Sequence, residues 1–399
     1  MKTIGFLSII LLGLMECPAT CDAETYDIAW NFKKYAAAEE RSSLAVCDIN
    51  EDGLFREAVV ASGGAKRLTA IDNTGQVLWE VDLPEPFQRM VAADLDKDGM
   101  CSDVVGLATS NKLYAYDNSG KRLWSYDHKA ESASWVCRLQ AVDLDGDGKL
   151  SGVVAALMYS FRGSKGVIAV GPKGDLLWSY DIGRIYSIWA DHRMVLVGGN
   201  EVVALGTATG KELFDPISIG VAPVRSVGLV DFRKDGNLTI VAGGEGGMVY
   251  LDTSGKIRAK RSDGPHENNL GFIEGSQERW AVFGYGSRIA AFDKDMKMRR
   301  ETSGGSFGYA RNMLFVDLDA NGQRDDPVID KTREGGEALI VSVFNGESFN
   351  KVYDLSIPSV GKETHDPPEA MDLDGDGFLD DILVGSTGGN FIAVDNKQR

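Results

Sequence analysis

An acidic segment recurs six times along the chain, and this recurrence limits the fold more than any other feature. It reads DINEDG from Asp48, DLDKDG from Asp94, DLDGDG from Asp143, DFRKDG from Asp231, DLDANG from Asp317 and DLDGDG from Asp372. The leading aspartates are 46, 49, 88, 86 and 55 residues apart. A fixed period of this size marks architectures in which one supersecondary unit is stacked on copies of itself. The gaps of 88 and 86 are close to two periods each, which predicts two units that keep the repeat without the acidic loop.

Both hidden units are visible, one running from Ser187 to Phe214 and the other from Leu270 to Arg300. Where the acidic loop is present, an apolar run such as MVAA or LQAV precedes it and another such as DVVGLA, GVVAAL or DILVGS follows. A third run and a fourth that carries an aromatic complete each unit, the alternation expected of strands. Four strands in roughly 46 residues match a propeller blade. The expectation is an all-β, eight-bladed β-propeller of four-stranded antiparallel blades, or seven blades if one hidden unit is an insertion. High glycine content, 47 of 399 residues, fits many tight turns.

A second repeat supports the assignment. Gly75 and Trp79, Gly120 and Trp124, and Gly174 and Trp178 share one spacing, with the glycine in the turn between third and fourth strands. A flat side chain at this outer position is suited to packing on the next blade. Phe214 follows Gly210 in the fourth unit, whereas Ala259 and Arg300 stand there in the fifth and sixth. The last unit ends after a third strand, Phe391 to Val394, while Tyr26 to Phe32 forms a strand carrying Trp30 ahead of the first unit. The N-terminal strand is therefore expected to complete the last blade and leave the ring without an open end.

The Asp-x-x-Gly-x-x-x-Trp turns at Asp72–Trp79 and Asp117–Trp124 resemble the repeats of PQQ-like (quinoprotein-type) propellers, which include outer-membrane assembly lipoproteins. The DLDGDG loops resemble the FG-GAP/VCBS calcium loops of integrin-alpha-type propellers. Together these resemblances span about residues 26–396 and imply the fold. They leave function open, because such repeats serve enzymes, adhesins and scaffolds. PQQ is not expected, since no vicinal cysteine pair is present and the chain is short for such a dehydrogenase.

Calcium wants six to eight oxygens, which alternating aspartates on a tight loop supply, with glycine allowing the turn at position six. Asp372, Asp374, Asp376 and Asp380 fill positions one, three, five and nine of the last loop, and Asp317, Asp319, Asn321 and Asp325 fill those of the preceding one. Asp94, Asp96 and Asp98, and Asp143, Asp145 and Asp147, form two more sets, with Ser102 or Ser151 at position nine and Asp103 beside the first. In the first loop Asp48, Asn50 and Asp52 are accompanied by Arg56 at position nine, so that Glu57 has to substitute. Arg233 interrupts the loop from Asp231 and is expected to replace the ion there. Structural calcium is expected at the other five.

The balance of 42 Lys+Arg against 59 Asp+Glu, a net −17, argues against nucleic-acid partners. Lys2, the apolar run Ile4 to Met15 and small residues at Ala19 and Ala23 resemble an export signal over residues 1–23. The propeller then occupies 24–399 with no span after signal cleavage, and the destination is periplasmic, extracellular or cell-surface. Cys47 and Cys101 fall on one face of adjacent units and are expected to pair as a disulfide.

Arg89, Arg138, Arg184, Arg225 and Arg311 precede the first strands, interleaved with Trp135 and Trp189. The connections entering later units hold His266 and His365. These residues are expected on the face opposite the acidic loops, around a channel mouth that attracts an anionic ligand. No GxSxG, HExxH or Walker motif occurs. The favoured expectation is a binding or assembly module for a protein or glycan partner. A lyase or hydrolase acting on acidic polysaccharide is the alternative.

Overall fold

The structure is a computed structural model and describes residues 26–33, 42–128, 137–157, 166–220, 223–262, 269–274, 278–285, 288–303, 312–317, 324–332, 338–346, 348–358, 367–385 and 390–396. The proposed signal segment lies outside them. The described residues form eight antiparallel sheets and no helix. The innermost strands are Ser42–Cys47, Phe87–Ala93, Cys137–Val142, Ser187–Ala190, Val224–Val230, Asn269–Glu274, Asn312–Val316 and Glu369–Met371, defining blades 1 to 8. Each packs against the next, and the eighth against the first. The ring therefore has eight members, and both hidden units are blades.

Seven sheets contain four strands in meander order. Blade 4 has three, and isolated bridges Val202–Ile217 and Leu205–Glu212 carry its outer edge. In blade 8 the outermost strand is Tyr26–Phe32, antiparallel to Phe391–Asn396 with Phe32 opposite Phe391. One blade thus unites both ends of the described chain, and its outer strand is the one expected from the sequence.

The core is not a single mass. Its eight clusters each span one blade interface, from Leu44, Ile71, Leu373 and Phe391 between blades 8 and 1 to Val316, Val341, Ile382 and Val394 between blades 7 and 8. Middle strands such as Glu57–Ser62 and Asp103–Ala108 are buried at every position, because each lies between two neighbouring sheets. A strand covered on both faces reads as a continuous apolar run rather than an alternation.

Aromatic side chains close several interfaces in one repeated way. The indole N–H groups of Trp30, Trp79, Trp124 and Trp178 donate to the carbonyls of Asn73, Asn118, Pro172 and Thr207 on the next blade, at 3.1, 2.6, 2.8 and 2.7 Å. Each ring lies over that blade's turn glycine. A Cβ on Gly120, where φ is +80°, would stand 2.8 Å from the Trp79 ring. Glycine is required there both by the left-handed backbone and by the close approach.

Where the tryptophan is lost, the bulk crosses the interface. Blade 5 has Ala259, and the facing turn of blade 6 carries buried Met296 at φ +58°. Met296 packs with Tyr250 and Ala259, and Arg261 donates to its carbonyl at 3.1 Å in place of the indole. Blade 6 has Arg300 over the Trp280 ring, and the turn of blade 7 supplies buried Phe349 at φ +55°.

Candidate metal loops and the opposite face

Each acidic loop joins the first strand of a blade to its second, and its turn geometry comes from the leading aspartate. Asp372 accepts N–H bonds from Gly375 and Gly377 at 2.8 and 3.0 Å, and Asp143 accepts from Gly146 and Gly148 at 2.7 and 2.8 Å. Position two turns inward, where Ile49, Leu95, Leu144, Phe232 and Leu373 are buried. The carboxylates at positions three and five are left facing the same space as position one. Ligand oxygens of Asp94, Asp96 and Asp98 lie within 4.8 Å of one another, as do those of Asp143, Asp145 and Asp147 and those of Asp372, Asp374 and Asp376. Such convergence of like charges is what a hard divalent cation relieves. Burial pushes Asp372 above its ordinary pKa, and Asp376 and Asp374 add to the rise.

The loops differ in how their oxygens are used. Asp94 is buried, and its Oδ2 accepts from Gly99 N–H at 3.0 Å while its Oδ1 is shielded from solvent with no hydrogen-bond partner. Asp380 is buried and accepts from the Asn396 side chain at 2.9 Å. In blade 1 Arg56 pairs with Asp52, and the Asn50 amide donates to Glu57 Oε1 at 3.1 Å. Glu57 Oε2 is buried without a partner. Blade 5 keeps the fold of the loop, with Asp231 accepting from Gly236 at 2.7 Å. Beside it a groove of about 460 Å³ is lined by Asn237, Thr239, Asp252, Ser254 and Arg258. Asp317 is buried in blade 7; Asp319 and Asn321 fall outside the described residues, and Asp325 is half-buried.

Two features of the rim escape a residue-by-residue reading of the sequence. The N–H of the first loop residue donates to the carbonyl of position eight in the next loop: Asp48 to Cys101, Asp94 to Leu150, Asp317 to Leu379 and Asp372 to Phe55. The acid at position ten points back into the fold. Asp103 accepts from Leu95 N–H at 3.0 Å, and Asp381 accepts from Leu373 and Asn396 N–H at 2.7 and 2.8 Å. Burial pushes Asp103, Asp381 and Glu57 each up to about 7. The recurrence of an acid at this offset, as Glu57, Asp103, Asp326 and Asp381, was the signal available.

The expected disulfide is not formed, and Cys47 and Cys101 are free thiols. They are neighbours through the Asp48–Cys101 backbone bond. Cys47, however, is fully buried among Ala45, Val59 and Val104, with its thiol 3.6 Å from the Ala45 carbonyl, whereas Cys101 stays partly exposed on the loop.

At the other ends of the innermost strands, Arg89, Arg138, Arg184 and Arg225 sit at or just before the starts of four successive strands, in blades 2 to 5. Arg184 is exposed. Arg225 occupies a β-bulge between Val224 and Ser226, pairs with Glu245 and lies 5.5 Å over the Tyr186 ring. Trp189 is half-buried and packs against the core between blades 4 and 5. Arg311, Trp135, His266 and His365 lie outside the described residues. Of the remaining histidines, His128 is half-buried with Nδ1 3.3 Å from the Tyr126 hydroxyl, and His192 is exposed in the turn after the first strand of blade 4.

Residues 21–185 match the family profile described as outer membrane protein assembly factor BamB. No curated protein matches the chain. Among solved structures, BamB from Moraxella catarrhalis is similar over 94% of this chain and 98% of its own, at 15% identity and a TM-score of 0.62. Sqt1 from Saccharomyces cerevisiae is similar over 91% and 97%, at 11% identity and 0.64. Sqt1 from Chaetomium thermophilum, bound to the N-terminus of the ribosomal protein L10, is similar over 94% and 99%, at 12% identity and 0.63. At these identities the similarity concerns the fold.

Proposed function

We propose that the chain is an exported propeller, stabilised by calcium, that serves as a binding or assembly module for a protein partner. The match of residues 21–185 to the assembly-factor profile carries this reading. A similar propeller bound to the N-terminus of the ribosomal protein L10 supports such use of the fold. The described arginines stand at the starts of the first strands, opposite the acidic loops, a placement that favours an acidic segment of the partner. The carboxylate triads of blades 2 and 8, each within 4.8 Å, support calcium as a staple between first and second strands.

The test is capture from an exported-protein fraction by the immobilised mature protein in calcium, beside an Arg89→Glu/Arg184→Glu variant of unchanged thermal stability. Stoichiometric retention of one protein, lost in the variant, is expected. Equal retention by both removes these arginines from the account. Turnover of a uronate-containing polysaccharide by the same preparation replaces the scaffold reading with catalysis.

A further inference from the structure

The acidic loops of blades 2 and 3 are alike in sequence, yet the protein treats them differently. In blade 3 both oxygens of Asp143 accept backbone N–H bonds. Asp145 and Asp147 are bridged by the ammonium of Lys97, at 2.5 and 2.9 Å. Lys97 belongs to blade 2, at position four of its acidic loop, where the backbone is left-handed at φ +65°. Lys149 of blade 3 donates in return to the Lys97 carbonyl. Blade 3 thus holds a cation supplied by its neighbour.

Blade 2 receives no such cation. No ion pair to Asp94, Asp96 or Asp98 is formed among the described residues, and Asp94 keeps one buried oxygen without a hydrogen-bond partner while facing the other two carboxylates. A buried carboxylate oxygen left unpaired is costly, and a bound cation removes the cost. Aspartates at positions one, three and five are the hard oxygen donors that a calcium loop uses.

We propose that the loop of blade 2 takes a divalent cation, whereas the loop of blade 3 is closed to metal by Lys97, a tethered ammonium in the place of the ion. The inference rests on the calcium reading above and sorts its sites. One loop contributes both ligands for its own ion and the cation of the next blade, so two neighbouring acidic loops share one metal ion and one ammonium.

Calcium bound per chain, measured by equilibrium dialysis of the full mature protein, tests this. Asp96→Asn/Asp98→Asn is expected to remove one ion from the wild-type count, and Asp145→Asn/Asp147→Asn to remove none. Lys97→Met, which keeps the aliphatic stem, is expected to add one ion, which is lost again when Asp145→Asn/Asp147→Asn is introduced. Lys97→Arg retains a cation and is expected to keep the wild-type count, which controls for damage to the loop. Loss of an ion from wild type on Asp145→Asn/Asp147→Asn, or an unchanged count in a folded Lys97→Met protein, overturns the inference and leaves the calcium reading standing. No calcium in any of these proteins overturns both.

Discussion

At the scale of single residues, the regularity of the acidic loops conceals a division of labour. Positions one, three and five face a common space, position two enters the core, and position ten turns back to hold the N–H of position two. The first two roles follow from the type and spacing of the residues and were legible. The third was signalled only by the recurring acid at position ten, and the reach of Lys97 across to blade 3 was not legible, because it depends on what the adjacent blade presents. The cysteines illustrate the same limit: placing Cys47 and Cys101 on one face was right, but Cys47 is buried in the core while Cys101 stays partly exposed on the loop, and both thiols are free. Burial pushes Cys101 up to about 11 and raises Cys47 well above the ordinary thiol range. Only the thiolate reacts, so alkylation of native protein at pH 7.5 is expected to be slow and to accelerate steeply for Cys101 as the pH rises toward 10. Both thiols should label rapidly in denaturant. Complete labelling within seconds at pH 7.5 in the native state would contradict this placement.

At the scale of strands and turns, the blade interface is a lock whose two halves are exchanged around the ring. Tryptophan on the outer strand meets glycine in the next turn at four interfaces, whereas at two others the turns carry Met296, packed with Ala259, and Phe349, packed in a cluster with Trp280, on whose ring Arg300 lies. The glycine–tryptophan form was visible as a spacing. Its reversal looked like decay of the motif, since each partner stands in a different unit. Trp79→Ala is expected to cost about 3 kcal/mol, as loss of a large packed aromatic does. Gly120→Met alone should also destabilise, since its Cβ meets the Trp79 ring. Combined, Trp79→Ala/Gly120→Met should be more stable than the sum of the single effects, a coupling that urea denaturation of the four proteins measures. Simple additivity would show that the exchange does not compensate.

At the scale of the molecule, ring closure explains why the repeat count and the chain ends were readable together. Eight units leave one strand over at each end of the logic: the last blade lacks a fourth strand, and Tyr26–Phe32 lacks a blade. Deleting residues 24–32 is expected to lower the melting temperature and promote association through the exposed edge of Phe391–Asn396. A truncated protein that stays monomeric with unchanged melting would contradict closure by this strand. What the ring binds was less legible, because the side chains of a propeller face are brought together from segments tens of residues apart, such as Arg225 over the Tyr186 ring. The metal rim is the part of the account that one experiment reaches directly. A ligand that binds only the folded state stabilises it by about 2.7 kcal/mol per site at a hundredfold excess over Kd. Thermal unfolding of the mature protein should therefore shift upward in calcium and fall after chelation, with metal analysis showing retained calcium before chelation. Equal melting in both conditions, with no metal retained, would contradict a calcium-stabilised propeller.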